Sequence, residues 1–432
     1  MVLTYITILV ETDSNTQIKK DPYISLRYPE FRAYLGVRFF LTFAYQIQAV
    51  VIGWYLYNLT KDPLSLGMIG LAEAIPSVGI ALYGGYVADK SEKTGMLKWI
   101  LAGMFLSSLV IYFITLPGTA SYINHKQVVG IIYVMIFVIG IARGFMAPTV
   151  FSLMAAIIPR EHYPNSSTWN STSWQIATIA GPAAGGLMYA GVGVSNTFLV
   201  ILILLAVSFA CVMFLKKHPA QFVPKESITK SLSEGIRFVF NSRMMLGAMS
   251  LDLFSVFFGG AVALIPVLAK EVLNVGAEQF GLMRAAPAVG AVLTMLMMTK
   301  YPPMNKPWRN LLIAVTGFGI SIIGYGLSRN LYLTLFFLFF EGAFDSVSVI
   351  IRSTIMQLLT PDEMRGRVSS VNSMFIGSSN ELGAFESGLS ARLLGTVPAI
   401  VFGGSVTLLV VSITYLKTKK LLPLGVKEIH AG

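Results

Sequence analysis

The chain has 432 residues, 55% of them hydrophobic and only 12% charged, with a mean hydropathy of +0.69 and a net charge of +11. Soluble domains carry about 25% charged residues, so this composition excludes a soluble protein and leaves no room for a large extramembrane domain. The basic residues stand in short clusters between apolar runs, without interleaved polar aromatics or a basic helix face, which argues against nucleic acid as a partner.

In chain order, residues 1–28 have no basic n-region and no small-residue cleavage site, and read as a cytoplasmic tail rather than a signal peptide. Apolar runs bounded by charge and turn clusters then predict twelve membrane spans. The first six fall at about 31–58, 65–88, 95–117, 127–158, 166–190 and 195–215, and the second six at 244–269, 276–299, 308–328, 331–359, 367–393 and 397–416. With an even number of spans both ends of the chain share a side. On that side the connections hold 23 Lys and Arg, against 5 on the other, so both termini are expected in the cytoplasm.

Glu73 interrupts the second apolar run. A carboxylate there costs roughly 2.5–3.5 kcal/mol even on lenient insertion scales, so it should face protein or a water-filled cavity. Three roles are open to it: proton carrier, counter-charge for a cationic substrate, or static partner of a basic residue. Pro76 follows, a kink that neighbouring helices or water can satisfy.

The same stretch has an echo. Shifted by 211 positions, GLAEAIPSVG from Gly70 lies on GLMRAAPAVG from Gly281, with Arg284 at the position of Glu73. At a shift of 202, Pro159, Glu161, Ser167, Asn170 and Ser171 lie on Pro361, Glu363, Ser369, Asn372 and Ser373, and Gly181, Gly186 and Leu187 on Gly383, Gly388 and Leu389. Two six-span halves in the same orientation imply a pseudo-two-fold axis along the membrane normal. The expected organisation is a six-helix bundle over 29–215, a cytoplasmic linker over 216–243, a second bundle over 244–416 and a cytoplasmic tail over 417–432. In the linker Leu232, Ile236, Val239 and Phe240 share one helical face, which suggests an amphipathic helix at the interface or a plain helical spacer.

The tenth span holds the densest polar stripe. Glu341, Asp345, Ser348 and Arg352 are spaced 4, 3 and 4 apart, which puts them on one face at about 100° per residue. Carboxylates one turn apart resist joint ionisation, so one of them can exchange protons near neutral pH. Arg352 would then hold the stripe deprotonated, although a structural salt-bridge network explains the same pattern. Asp252, Glu381 and Glu386 are further candidates. Arg143, aligned with Asp345 at the shift of 202, is a buried charge partner, as are Arg284 and Arg352.

No phosphate-binding loop is present, the four histidines lie in loops or the tail, and Cys211 is the sole cysteine. No cofactor, metal site or enzymatic activity is expected.

Gly85-x-x-x-Asp89-Lys90-x-x-Lys93, between spans two and three, resembles the cytoplasmic signature of the major facilitator superfamily. Arg143 resembles its buried arginine motif, and Gly181-Pro182-x-x-Gly185-Gly186 its exporter-associated glycine-proline motif. The runs from Gly53 to Tyr57, from Gly70 to Pro76 and from Leu251 to Phe254 are similar to the branch containing enterobactin exporters and macrolide efflux proteins. Thr94 departs from the signature, and the second half has Tyr301-Pro302-Pro303 without a matching aspartate.

The resemblance implies an all-α major facilitator fold of two pseudo-symmetric six-helix bundles. It implies a cavity lined by spans one, four, seven and ten, making Thr42, Tyr45, Gln46, Gln48, Phe254 and Phe257 candidate substrate contacts. It also implies that Asp89, helped by Lys90 and Lys93, latches onto the amino end of span eleven near 366–370. Gly181, Pro182, Gly185 and Gly186 would form a helix-kink seal between the halves. The expected protein is a monomeric multi-pass antiporter of the cytoplasmic membrane, exporting amphipathic small molecules in exchange for protons. Glu73, Glu341, Asp345 and Asp252 are its proton-coupling candidates. The alternatives are a facilitator or importer of a small metabolite, and a sensor or scaffold that does not transport.

Overall fold

The structure, a computed structural model, describes residues 22–218, 228–361 and 364–425. Every regular element among them is helical, as lipid requires of open chain segments, since a helix satisfies its own backbone groups. The first half comprises α1 (Pro29–Thr60), α2 (Pro63–Lys90), α3 (Lys93–Thr115), α4 (His125–Ile157) and α5 (Tyr163–Met213). After α6 (Ile228–Asn241) come α7 (Arg243–Gly259), α8 (Ala277–Lys300) and α9 (Pro307–Leu327). The chain closes with α10 (Leu331–Leu359), α11 (Arg365–Leu394) and α12 (Thr396–Lys417).

Local chemistry sets several boundaries. Asp62 caps α2 by accepting from Leu64 N–H at 3.0 Å, with Pro63 at the first helical position. Asn124 and Gln127 form a capping box on α4, and Asn330 caps α10.

Ten helical segments among the described residues are long and apolar enough to span a membrane, against the twelve expected. Two features account for the difference. The apolar stretch of α5 has 49 residues, about 70 Å at 1.5 Å per residue, more than twice a hydrocarbon core. Gly193, at φ 79 and ψ 177, breaks it into two legs in a conformation that glycine adopts without strain. α11, by contrast, has 30 residues but carries Arg367, Glu381, Glu386 and Arg392 among many serines, too polar to qualify by composition.

Each half has its own apolar interior. Phe31, Leu41, Leu97, Ile132 and Phe198 belong to a cluster within α1–α5, and Trp308, Leu311 and Ile351 to one within the second half. A further cluster joins the halves, with Val50, Trp54 and Leu66 meeting Leu264, Phe280 and Phe318. Exposed aromatics sit at both ends, Trp99, Tyr301 and Tyr415 at the end that carries α6, Tyr122 and Tyr332 at the other. Such belts are what membrane interfaces select.

α6 packs Val239 and Ile236 against α7 and α11, while Phe240 is exposed and the Leu232 side chain lies outside the described residues. Glu234 of α6 is ion-paired with Arg367 of α11.

At the end opposite α6 the halves are clamped. Trp54 stacks on Phe280 at 4.2 Å, Tyr57 donates to Glu271, Lys270 donates to Asn58, and Arg392 lies 3.3 Å from Asp62. Two glycine crossings bring backbones together there, Gly186 of α5 on Gly281 of α8 and Gly67 of α2 on Gly388 of α11. Toward the α6 end, a side chain placed at Gly79 of α2 or Gly377 of α11 would meet open space.

Candidate functional site

Between the halves lies a cavity of about 400 Å³, lined by α1 and α2 on one side and by α7, α8, α9, α10 and α11 on the other. α7 is irregular where it borders the cavity. After Gly259 the chain passes through a 3₁₀ turn at Ala261–Leu264 and a π turn at Leu268–Val272. Broken backbone at this depth is tolerated where it lines a cavity.

Arg143 of α4 organises the polar contacts. It ion-pairs with Glu73 of α2, donates to Glu381 Oε1 of α11 at 2.7 Å and to Tyr45 Oη of α1 at 2.9 Å, and its guanidinium lies 4.7 Å from the centre of the Tyr45 ring. Tyr45 in turn donates to Glu73 Oε1 at 2.7 Å. Gly140 and Gly144 explain how α4 comes so close to α2: a Cβ at Gly140 would lie 2.7 Å from the Glu73 carbonyl, and one at Gly144 3.0 Å from the Ser77 carbonyl. Small residues four apart let two helices touch, and Arg143 lies between them.

Among the roles open to Glu73, the geometry displays partnership with a basic residue. Asp345, aligned with Arg143 in the sequence echo, is not its partner. Glu381, which sequence reasoning placed among secondary candidates, carries the bridge across the halves.

The polar stripe on α10 divides. Glu341 and Asp345 line the cavity, and neither has a hydrogen-bond or ion-pair partner among the described residues. Arg352 does not hold this pair; it forms an ion pair with Asp252 of α7, both side chains being buried. Asp252 is therefore neutralised within its own half and stands outside the cavity lining. Removing one member of a buried pair costs about 3–5 kcal/mol, so Arg352→Met should lower the melting temperature of the purified protein sharply. Combining it with Asp252→Asn should recover much of the loss; equal damage in the single and double variants would show that the pair is not coupled.

Arg284 lines the cavity from α8. One of its terminal nitrogens donates to the Val262 carbonyl at 3.4 Å and its Nε is buried without a partner.

Of the six candidate substrate contacts only Tyr45 reaches this cavity. Gln48 accepts from Ser108 Oγ at 2.6 Å inside the first half, Gln46 is pressed against Gly181, and the Thr42 hydroxyl is buried. Phe257 packs on Phe258, and Phe254 is exposed. The reason is helical phase: from Tyr45 the cavity face continues through Ala49, Val50 and Gly53, steps of about one turn. Counting turns from Tyr45 would have found them. Phe280 and Phe318, also in the lining, carry no polar signal in the sequence.

In the expected latch, the side chains of Asp89 and Lys90, and Gly85, lie outside the described residues, as do those of Ser369 and Ser370 opposite. Lys93 is buried and its backbone N–H donates to the His218 carbonyl at 3.0 Å. In the expected seal, Gly181 and Gly185 approach α1 at Gln46 and Ile47, while Gly186 meets Gly281 across the halves; Pro182 lies inside α5.

Comparison with known proteins covers nearly the whole chain. The family model described as transmembrane secretion effector matches residues 21–426. The enterobactin exporter EntS of Escherichia coli O1:K1 is 26% identical over 357 residues, 80% of this chain and 81% of that protein. The MFS-type transporter YfmI of Bacillus subtilis is 22% identical over 365 residues, 81% of this chain and 88% of that protein. Among solved structures, a D-xylose-proton symporter superposes with a TM-score of 0.70 at 13% identity, covering 93% of this chain and 99% of that one, a likeness of fold.

Proposed function

This chain belongs to the transmembrane secretion effector family of the major facilitator superfamily, and from that premise we propose that it exports amphipathic small molecules in exchange for protons. It is a multi-pass membrane transporter. In this reading it sits in the cytoplasmic membrane with both termini and α6 inside, as the distribution of Lys and Arg supports. The cavity, clamped at the end opposite α6, then corresponds to an inward-facing state ready to load. Similarity to an enterobactin exporter supports the outward direction.

One observation carries the coupling: Arg143 of the first half bridges Glu73 of its own half and Glu381 of the other, and both carboxylates line the cavity. Protonation of Glu381 removes its attraction for Arg143 and frees α11 from α4, while Glu73 keeps the guanidinium neutralised. A proton thus changes the relative free energy of the two arrangements, as alternating access requires. Asp89, Lys90 and Lys93 would latch the cytoplasmic ends when the transporter faces outward, and the clamp through Asn58, Asp62, Lys270 and Arg392 would hold the opposite ends together when it faces inward.

Efflux of a fluorescent amphipathic substrate from energised cells is the test, comparing the intact protein with Glu381→Gln at matched expression. A charge-assisted contact is worth roughly 1.5–3 kcal/mol, so proton-driven efflux should fall about tenfold or more. Efflux that survives collapse of the proton gradient would indicate a facilitator, and undiminished gradient-driven efflux in the variant would remove Glu381 from coupling.

A further inference from the structure

Counting charge around the cavity constrains what can be carried. Four carboxylates line it, Glu73, Glu341, Asp345 and Glu381, together with the guanidinium of Arg284. Arg143 is the second cation within reach and is committed to Glu73 and Glu381. Arg352 is committed to Asp252. Four carboxylates against two guanidiniums leave two carboxylates without a counter-charge of their own, and the two without contacts are Glu341 and Asp345, one helical turn apart on α10. Glu341 is only 6% exposed, opens on the cavity and has no hydrogen-bond or ion-pair partner among the described residues, Arg284 acting on it through space alone.

A buried charge without a partner is costly, and the cost is relieved by an opposite charge brought to it. An anionic ligand would add to that cost, a neutral one would leave it, and a cation would offset it. Apart from Tyr45 and Asn380 the rest of the wall is apolar, with Phe280 and Phe318 among the lining residues. Aromatic faces accept both apolar bodies and organic cations.

Building on the exporter reading, we propose that the cavity binds an amphipathic organic cation, its charged group between Glu341 and Asp345 and its apolar body against Phe280 and Phe318. Arg284, tethered to the irregular backbone of α7, sets the limit of that cation site and repels a ligand placed toward α8.

The test is equilibrium binding to the full chain in lipid nanodiscs, with protein-free nanodiscs as the blank. Tetraphenylphosphonium is compared with tetraphenylborate, which has the same shape and the opposite charge, and benzyltrimethylammonium with its neutral isostere neopentylbenzene. Each cation should bind at least about tenfold more tightly than its counterpart, and Glu341→Gln and Asp345→Asn should each weaken cation binding by about tenfold. The melting temperature should not fall below the wild-type value, since each change removes an unpaired buried carboxylate, and the affinity for neopentylbenzene should be unchanged; a merely structural role would lower the first. Affinity indifferent to charge, cation binding retained in both variants, or no binding of either cation would overturn the proposal. Failure of the exporter reading has a separate signature: this binding pattern would persist in a protein that drives no gradient-dependent efflux.

Discussion

Replacing Arg143 with glutamine should abolish transport and lower the yield of folded protein, the largest effect expected of any single change in the cavity. The substitution strands the buried Glu73 and the partly buried Glu381, both bonded to the same guanidinium. Breaking such a buried pair costs about 3–5 kcal/mol, a large share of the roughly 5–15 kcal/mol that holds a protein folded. Lysine should restore part of the yield and none of the transport. The contacts to Glu73, Glu381 and the Tyr45 hydroxyl all come from one terminal nitrogen of Arg143, so lysine keeps the charge but loses the planar guanidinium that lies over the Tyr45 ring. Adding Glu73→Gln and Glu381→Gln to Arg143→Gln removes the stranded charges, so yield should recover further while efflux stays absent. Thermal unfolding in detergent, followed by size exclusion, gives the first quantity, and efflux from energised cells gives the second. A single Arg143→Gln variant with the wild-type melting temperature and efflux would show that the bridge matters to neither.

Valine at Gly281, or at Gly70, should reduce efflux about tenfold or more and open the clamped end. A Cβ at Gly281 would stand 2.9 Å from the Gly186 carbonyl carbon, and one at Gly70 would stand 2.4 Å from the Glu381 carbonyl oxygen. These neighbours are backbone atoms, which cannot rotate aside as a side chain would, so the helices must separate. Overpacking of this kind costs about 1–3 kcal/mol, enough to move a two-state population by about tenfold or more. The Gly186–Gly281 crossing lies at the end where Lys270 donates to Asn58, and Gly70 stands one turn along α2 from the second crossing there, Gly67 on Gly388, so a disulfide reporter fits that end. With cysteines at Asn58 and Lys270, cross-linking should be efficient in the parent and several-fold lower once either valine is added. Unchanged cross-linking would mean that the glycine contacts do not govern closure. If only one valine acts, the two crossings are unequal despite their shared sequence template.

Much of this architecture is written locally. Runs of apolar residues long enough to cross a bilayer, a lysine and arginine bias between them, and the cost of a charge inside a span are properties of short stretches. They singled out Glu73, Glu341 and Asp345, while Arg284 came from the internal echo and Arg143 from the family resemblance. The internal echo went further. Gly70 and Gly281, equivalent at a shift of 211, and Gly186 and Gly388, equivalent at a shift of 202, all stand where helices of the two halves touch. A repeated glycine marks a repeated close approach because no other residue leaves room for a neighbouring backbone.

The pairing of the charges belonged to the tertiary structure. Helical periodicity says which residues share a face, as it did for the stripe from Glu341 to Arg352, but not which helix that face meets. Arg352 turned out to serve Asp252 of α7, and Arg143 to reach Glu381, 238 positions away. The same ignorance of helix rotation put Gln46 and Gln48 among the substrate contacts, when the cavity face of α1 runs through Tyr45, Ala49 and Gly53. Burial cost is a local quantity, so a sequence reveals where a charge must find a partner. The partner is fixed by how packed helices are rotated and spaced, and that depends on contacts summed over the whole chain.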